Sequence, residues 1–168
     1  MTNLFLIGFM GCGKSSVAAY LSKKYSMDIV EMDQVLVEQA GMSIAEIFAL
    51  HGETHFRDME TALVKELENK GNQVISCGGG VVLRPQNVEV MKKSGRIVCL
   101  TAKPETILAR VKGDDSRPLL QGNKNLASIQ EMMEKRRDKY ESAADVIVET
   151  DGKTIAEICD EIIAYMKW

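Results

Sequence analysis

Short runs of apolar residues recur along this chain, and a pattern with helical spacing follows each of them. The runs predict strands at 4–7, 29–32, 74–77, 96–100 and 146–148, and the spacing predicts helices at 16–25, 33–39, 85–93, 104–111, 126–142 and 154–166. Parallel strands need a crossover between them, so this alternation indicates a parallel sheet with helices on both faces. We therefore predict a three-layer α/β/α fold with a five-stranded parallel sheet, built by residues 1–168 as one domain.

One segment carries more helical pattern than a single crossover needs. It spans residues 33–70 and includes Ser43 and Glu46, which have the spacing of a capping box at the start of a helix. An insertion of this kind at the ligand-binding edge of a sheet can hold a substrate. We expect residues 31–60 to form a helical substrate-binding lobe.

A second segment interrupts the alternation further along the chain. Residues 113–125 are polar, contain glycine and include Arg117 directly before Pro118. A loop that covers a phosphoryl-transfer site has to exclude water and then open for release. The composition of this segment predicts such a lid.

The first predicted strand leads into Gly8–Ser15, which matches the phosphate-binding pattern G-x-x-x-x-G-K-[ST] at every fixed position. Backbone N–H groups of such a loop surround phosphate oxygens, while Lys14 can reach the β- and γ-phosphates and the Ser15 hydroxyl can bind Mg²⁺. The alternative is a glycine-rich turn without a ligand, but the strand before and the helix after favour nucleotide binding. The predicted contacts from this loop are Gly11, Cys12, Gly13, Lys14, Ser15 and Ser16.

A phosphate loop alone does not distinguish a kinase from a GTPase or a motor ATPase. The base-reading motif N-K-x-D of GTPases is absent, because residues 123–126 read Asn-Lys-Asn-Leu. The apolar strand ending in Asp-Glu that many hydrolytic ATPases have is also absent. The third predicted strand ends instead in Gly78–Gly80, where a small substrate can approach the backbone closely.

Charge and hydropathy restrict the partners of this chain. The formal net charge is -3 at pH 7, whereas a surface that binds nucleic acid is basic, so we expect no nucleic-acid partner. No apolar run approaches the roughly 20 residues that span a bilayer, and no signal peptide is recognisable. We therefore expect a cytoplasmic protein without a membrane partner.

These motifs together resemble the shikimate kinases over essentially the full length of the chain. The resemblance is carried by Gly8–Ser15, Glu31–Asp33, 52–60, Gly78–Gly80, 117–120, and Arg136 with Tyr140. It implies a P-loop kinase fold of the nucleoside-monophosphate-kinase type. It also implies transfer of the ATP γ-phosphate to the 3-hydroxyl of shikimate, with Mg²⁺, in aromatic amino-acid biosynthesis. We expect a monomer.

The resemblance assigns the substrate side of the site. It implies that Asp33 binds the substrate hydroxyls, including the attacking one, and that Arg57 and Arg136 bind the carboxylate. Backbone contacts would come from Gly78, Gly79 and Gly80. The residues alone favour a surface position for both arginines: Arg57 beside Asp58 or Glu60, and Arg136 among Lys135, Arg137 and Lys139.

The resemblance also assigns the nucleotide side. It implies that Lys14 and Arg117 act on the transferring phosphate, with Asp33 as the third catalytic residue. Arg110 would lie against the adenine, which residues 150–153 would also line, so Lys153 counts as a nucleotide contact.

The resemblance places the metal at Ser15 and Glu31, and two positions there depart from the family. Glu31 stands where the family usually has Asp, and Cys77 stands where it often has Thr. Neither change removes a required charge, but a thiol is a weaker hydrogen-bond donor than a hydroxyl.

Two alternatives stay open at this point. One is a kinase of the same fold that acts on a sugar acid such as gluconate, because a carboxylate clamp alone does not distinguish these acids. The other is a non-catalytic nucleotide-binding module. Acceptor-dependent release of ADP would exclude the second alternative.

Overall fold

The structure is a computed structural model, and it describes residues 2–111 and 125–167. Within these ranges, five strands form one sheet: β1 (Asn3–Ile7), β2 (Asp28–Glu31), β3 (Gln73–Ser76), β4 (Gly95–Thr101) and β5 (Val146–Glu149). The strand order is β2-β3-β1-β4-β5, and every neighbouring pair is parallel. The predicted five-stranded parallel sheet is therefore confirmed.

The helices of the described residues lie close to their predicted positions. They are α1 (Lys14–Tyr25), α2 (Met32–Ala40), α3 (Ile44–His51), α4 (Glu53–Leu67), α5 (Pro85–Ser94), α6 (Pro104–Val111), α7 (Leu126–Ala143) and α8 (Ile155–Met166), with a short 3₁₀ helix at Val81–Leu83. Met32 was predicted to end a strand but begins α2, because Glu31 is the last residue with extended backbone. Helix α1 begins two residues earlier than predicted, directly behind the phosphate loop.

Both faces of the central strand β1 are buried. Phe5 and Ile7 pack in a core with residues of α4, α5 and α7, while Leu4 and Leu6 pack on the other face with residues of α1 and α8. A strand covered on both faces needs apolar residues at successive positions, which explains the continuous apolar run at the start of the chain. The three-layer arrangement places all five carboxyl ends at one edge of the sheet.

The predicted lobe corresponds to α2, α3 and the first half of α4. The predicted capping box starts α3: the Glu46 N–H donates to Ser43 Oγ at 3.1 Å, and the Ser43 N–H donates to Glu46 Oε1 at 3.3 Å. The rings of Phe48 and Phe56 pack at 5.2 Å between α3 and α4. Its function as a substrate lobe stays a prediction.

The predicted lid at 113–125, including Arg117, lies outside the described residues except for Asn125. Asn125 caps α7, and its Oδ1 accepts a hydrogen bond from the Ser128 N–H at 2.9 Å. In the part of the chain that the structure describes, every helix is too short or too polar to cross a bilayer.

Candidate functional site

A cleft of about 820 Å³ opens at the carboxyl ends of the strands, between the phosphate loop and the inserted helices. Of the predicted site residues, Gly11, Gly13, Lys14, Ser15, Ser16, Glu31, Asp33, Gly78, Gly79 and Arg110 line it. Side chains of α2 and the start of α3, including Gln34, Val37 and Ile44, form its opposite wall. The fold thus brings together segments that are distant in the sequence.

The phosphate loop turns directly into α1. Gly13 is the residue before the helix and has φ 97°, a conformation that side chains with a Cβ rarely adopt. Lys14 Nζ donates to the carbonyl oxygens of Gly8 at 2.7 Å and Phe9 at 3.1 Å. A cation is therefore held beside the free N–H groups at the start of a helix, which is the arrangement that binds phosphate.

An oxygen cluster lies beside the phosphate loop at the end of β2 and β3. The Ser15 hydroxyl donates to Glu31 Oε2 at 3.0 Å and lies 3.5 Å from Ser76 Oγ. Hydroxyl and carboxylate oxygens are the ligands that Mg²⁺ prefers, so Ser15 and Glu31 fit the predicted metal site. Ser76 was not predicted, although its position next to Cys77 at the end of a strand was the available signal.

Cys77 does not supply a hydroxyl at the position where the family often has threonine. Its thiol points to the Ile75 carbonyl, with a separation of 3.8 Å, and burial raises its pKa. A protonated thiol that faces its own strand offers the cleft neither charge nor a strong donor. The hydroxyl beside Ser15 comes from Ser76 instead.

Two carboxylates flank Gly78 at the floor of the cleft. A Cβ placed at Gly78 would lie 2.9 Å from Asp33 Oδ1 and 2.8 Å from Glu60 Oε2. Only glycine leaves room for both groups at this point. Asp33 faces the cleft from the first turn of α2, as the predicted contact with substrate hydroxyls requires.

Arg57 is buried in α4. The alternative in which it lies on the surface beside Asp58 or Glu60 is therefore wrong. It is 8% exposed, and its Nη1 donates to Glu60 Oε1 at 2.7 Å. Asp58, the other candidate partner, binds Arg84 at 2.8 Å on the surface. Gly80 packs against the Arg57 guanidinium, where a Cβ would overlap Nη1. The guanidinium therefore lies directly behind the glycine run.

Glu60 is a residue of the site that the sequence analysis did not assign. It is 1% exposed, and burial raises the pKa of its carboxyl while Arg57 opposes that shift. Among the described residues, no donor hydrogen-bonds to its second oxygen, Oε2. The sequence did contain a signal: Glu60 has helical spacing with Phe56, Leu63, Val64 and Leu67, the buried face of α4.

Arg136 also turns inward, although its neighbours on α7 are solvated. It is 7% exposed, packs over the Phe9 ring at 6.0 Å and lies 3.4 Å from the point where a Cβ of Gly79 would stand. The Tyr140 hydroxyl donates to the Gly79 carbonyl, and burial raises the pKa of Tyr140 to about 12. By contrast, Lys135 pairs with Glu131 on the surface of the same helix.

Three other predicted nucleotide contacts lie in different surroundings. Arg110 Nη1 donates to the Gly11 carbonyl at 2.8 Å, so α6 contacts the phosphate loop. Cys12 is fully buried and packs in the core under α1 and not in the cleft. Lys153 follows β5 and pairs with Glu161 of α8 at 2.6 Å. The nucleotide contacts of all three residues stay predictions.

Comparison with known proteins gives a consistent result. The family model described as shikimate kinase matches residues 10–167. A shikimate kinase of Thermodesulfovibrio yellowstonii is 44% identical over 97% of this chain and 94% of its own length. A solved shikimate kinase of Acinetobacter baumannii in complex with shikimate superposes with a TM-score of 0.94 at 28% identity, covering 99% of this chain and 93% of the other. A solved shikimate kinase of Aquifex aeolicus has a TM-score of 0.84 at 35% identity, covering 98% and 96%. This chain belongs to the shikimate kinase family.

Proposed function

We propose that the cleft transfers the γ-phosphate of ATP to the 3-hydroxyl of shikimate through the residues described above. One observation carries this proposal: two buried arginines, Arg57 and Arg136, approach the same glycine run, Gly78–Gly80, part of which lines the cleft together with Asp33 and the phosphate loop. Burying two guanidinium groups is costly unless anionic groups bind them; Glu53 and Glu60 bind Arg57, and a substrate carboxylate would add an anionic partner shared with Arg136. A small carboxylate with several hydroxyls matches this arrangement.

The substrate side of the site then works by positioning. The forked donors of Arg57 and Arg136 suit a carboxylate, while the Asp33 carboxylate accepts hydrogen bonds from neighbouring hydroxyls. The backbone of Gly79 and Gly80 lies against these arginines, so the substrate can contact main-chain groups at the same time. Asp33 acts in this scheme by orienting the attacking hydroxyl, because the proton can leave late in a loose transition state.

On the phosphate side of the site, positive groups offset the negative charge of the nucleotide phosphates. Lys14 and the N–H groups at the start of α1 would bind the phosphates, and Lys14 would exchange its bonds to the Gly8 and Phe9 carbonyls for phosphate oxygens. Arg117 is proposed to bind the transferring phosphoryl group on the basis of the sequence resemblance. Phosphoryl transfer depends mainly on such electrostatic stabilisation and on alignment, so no covalent intermediate is needed.

Mg²⁺ is the metal that this oxygen cluster suits. Ser15 would bind it directly, and the Glu31 carboxylate, which lies 3.0 Å from the Ser15 hydroxyl, would hold it through a water molecule, as the resemblance implies. Mg²⁺ held by these residues would offset the negative charge of the nucleotide phosphates. Glu31 is one methylene longer than the usual Asp, and its contact with Ser15 supports the same position for its carboxylate.

The experiment that tests this proposal identifies the product. Purified protein is incubated with Mg²⁺-ATP and shikimate, and phosphorus and carbon NMR locate the new phosphate ester. We expect a single ester at the 3-hydroxyl, and loss of product in Lys14→Ala. An ester at another hydroxyl would contradict the orientation given by Asp33, and equal product from Lys14→Ala would contradict the role of the phosphate loop.

The remaining expectations concern partners and location. We propose a monomer that has neither a nucleic-acid nor a membrane partner and that acts in the cytoplasm. The net charge of -3 supports the first part of this proposal. Light scattering at several protein concentrations would test the oligomeric state.

A further inference from the structure

The segment after β5 is tied to the start of α6 by one carboxylate. Asp151 Oδ2 accepts a hydrogen bond from the Lys103 backbone N–H at 2.7 Å, and Asp151 Oδ1 accepts one from the Thr106 hydroxyl at 2.5 Å. Lys103 directly precedes α6, so Asp151 binds the N–H group that a helix leaves unsatisfied at its beginning. A residue about 45 positions away thus binds the N-terminal end of α6 through one backbone N–H and one side-chain hydroxyl.

Thr150 reinforces the same connection. Its backbone N–H donates to the Thr101 carbonyl at 2.8 Å, and its hydroxyl donates to the same oxygen at 3.0 Å. Two adjacent residues, Thr150 and Asp151, therefore make four hydrogen bonds to residues 101–106. The loop after β5 and the start of α6 are held as one unit.

The other end of α6 contacts the phosphate loop. Arg110 Nη1 donates to the Gly11 carbonyl at 2.8 Å. A Cβ at Gly11 would lie 3.0 Å from Val111 and 3.5 Å from Ile107, so the helix and the loop are in close contact. Helix α6 thus spans the distance between the phosphate loop and residues 150–153, with Asp151 fixing one end.

We infer that Asp151 is a positioning residue for the nucleotide base: its carboxylate fixes the spacing between residues 150–153 and Arg110. This inference rests on the proposed function and on the nucleotide contacts that the resemblance implies, in which Arg110 and residues 150–153 line the adenine. Asp151 itself does not contact the nucleotide. The tether favours ligands in which a purine base is attached to a triphosphate. It strengthens binding of the base and does not affect binding of the phosphates.

The test compares ligands with and without a base. Isothermal titration measures binding of ATP, GTP and inorganic tripolyphosphate to the wild-type protein and to Asp151→Ala. We expect Asp151→Ala to weaken ATP binding about tenfold, the effect of losing both hydrogen bonds to the start of α6, while tripolyphosphate binding changes less than about twofold. GTP also carries a purine base on a triphosphate, so any binding of GTP should weaken by a similar factor in the same variant.

Two further variants separate positioning from a loss of folding. Thr106→Val removes one of the two donors to Asp151 with little change in volume. It should weaken ATP binding less than Asp151→Ala does, again with little change in tripolyphosphate binding. Asp160→Asn alters an exposed aspartate on α8, which lies 3.8 Å from Lys24, and it should leave all three affinities unchanged. Thermal unfolding of each variant checks that the fold is intact.

The possible outcomes distinguish this inference from the proposed function. Equal weakening of ATP and tripolyphosphate in both variants, or no weakening of ATP, would overturn the positioning role of Asp151. Wild-type protein that bound tripolyphosphate as tightly as ATP would also overturn it, because no adenine contact would then exist. Wild-type protein that bound neither ligand would contradict the proposed function itself, and this inference with it.

Discussion

Arg57 and Glu60 form an ion pair inside α4, with Nη1 of the arginine 2.7 Å from Oε1 of the glutamate. Both residues are buried, and the second glutamate oxygen lies beside Asp33 at Gly78. Glu53 also accepts hydrogen bonds from Nε and Nη2 of Arg57 at 3.3 Å, so two carboxylates of the same helix hold the guanidinium in a fixed direction. The pair therefore determines where the substrate carboxylate is expected to bind.

Replacing Glu60 by glutamine should weaken shikimate binding. The amide still fills the space and accepts a hydrogen bond from the Arg57 guanidinium, but the attraction between two opposite charges, which fixes the guanidinium, is lost. We expect KM for shikimate to rise about tenfold with KM for ATP unchanged, measured by steady-state kinetics. Glu66→Gln, an exposed position on the same helix, is the matched control and should behave as wild type. An unchanged KM for shikimate in Glu60→Gln would contradict the positioning by this pair.

Arg57 and Arg117 should affect different kinetic constants. Arg57→Ala removes a contact to the substrate carboxylate, which is present before and during transfer, so KM for shikimate should rise with a smaller effect on kcat. Arg117→Ala should lower kcat far more than it affects shikimate binding, because its contact is expected to form with the transferring phosphate. Each loss should amount to about 2–4 kcal/mol of transition-state stabilisation. Unchanged turnover in Arg117→Ala would rule out the assigned role of that residue.

Glu31 should control the affinity for magnesium. Glu31→Gln keeps a partner for the Ser15 hydroxyl but removes the negative charge that Mg²⁺ attracts. We expect the Mg²⁺ concentration for half-maximal rate to rise about tenfold at fixed ATP, whereas Glu31→Asp, the usual family residue, should stay within a few-fold of wild type. Glu89→Gln on the exposed side of α5 serves as the control. A magnesium requirement that is identical in Glu31→Gln and wild type would remove Glu31 from the proposed metal site.

Asp151 should make stability depend on pH in the acidic range. The hydrogen bond from Thr106, the backbone N–H of Lys103, and the nearby positive charges of Lys103 and Arg110 hold the pKa of this carboxyl below its usual range. A carboxyl with a lowered pKa contributes stability above its ordinary pKa of about 3.9 and loses it as the pH falls through its pKa in the folded state. Urea unfolding should show wild type more stable than Asp151→Asn at pH 7 and pH 5, with a smaller difference at pH 3. A difference that stays constant from pH 7 to pH 3 would contradict this account.

Local sequence patterns predicted the sheet and most helix boundaries. The apolar run before Gly8 is continuous and is followed by helical crossovers, and this combination indicated a strand buried on both faces. The capping box at Ser43 marked the start of α3 correctly. The strand end at Glu31 was missed by one residue, because Met32 is apolar and buried in either conformation. The periodicity of apolar residues indicates which side chains are buried, but it does not indicate the residue at which the backbone changes from strand to helix.

Long-range contacts account for what the sequence did not predict. The inward direction of Arg136 depends on Phe9 and Gly79, more than 50 positions away, while its neighbours on α7 are charged and solvated. The tether from Asp151 to Thr106 likewise joins segments that only the sheet order brings together. Glu60 was the exception, since its spacing on α4 already marked it as a charged residue on a buried face.

The acceptor specificity of the cleft distinguishes phosphorylation of shikimate from phosphorylation of another acid and from nucleotide binding without transfer. Purified protein with Mg²⁺-ATP is assayed for ADP release without an acceptor, with shikimate and with gluconate. We predict strong stimulation by shikimate alone, because the two arginines, Asp33 and the glycine run are proposed to bind that acid. Stimulation by gluconate instead of shikimate, or by neither acid while ATP is bound, would contradict the proposed function.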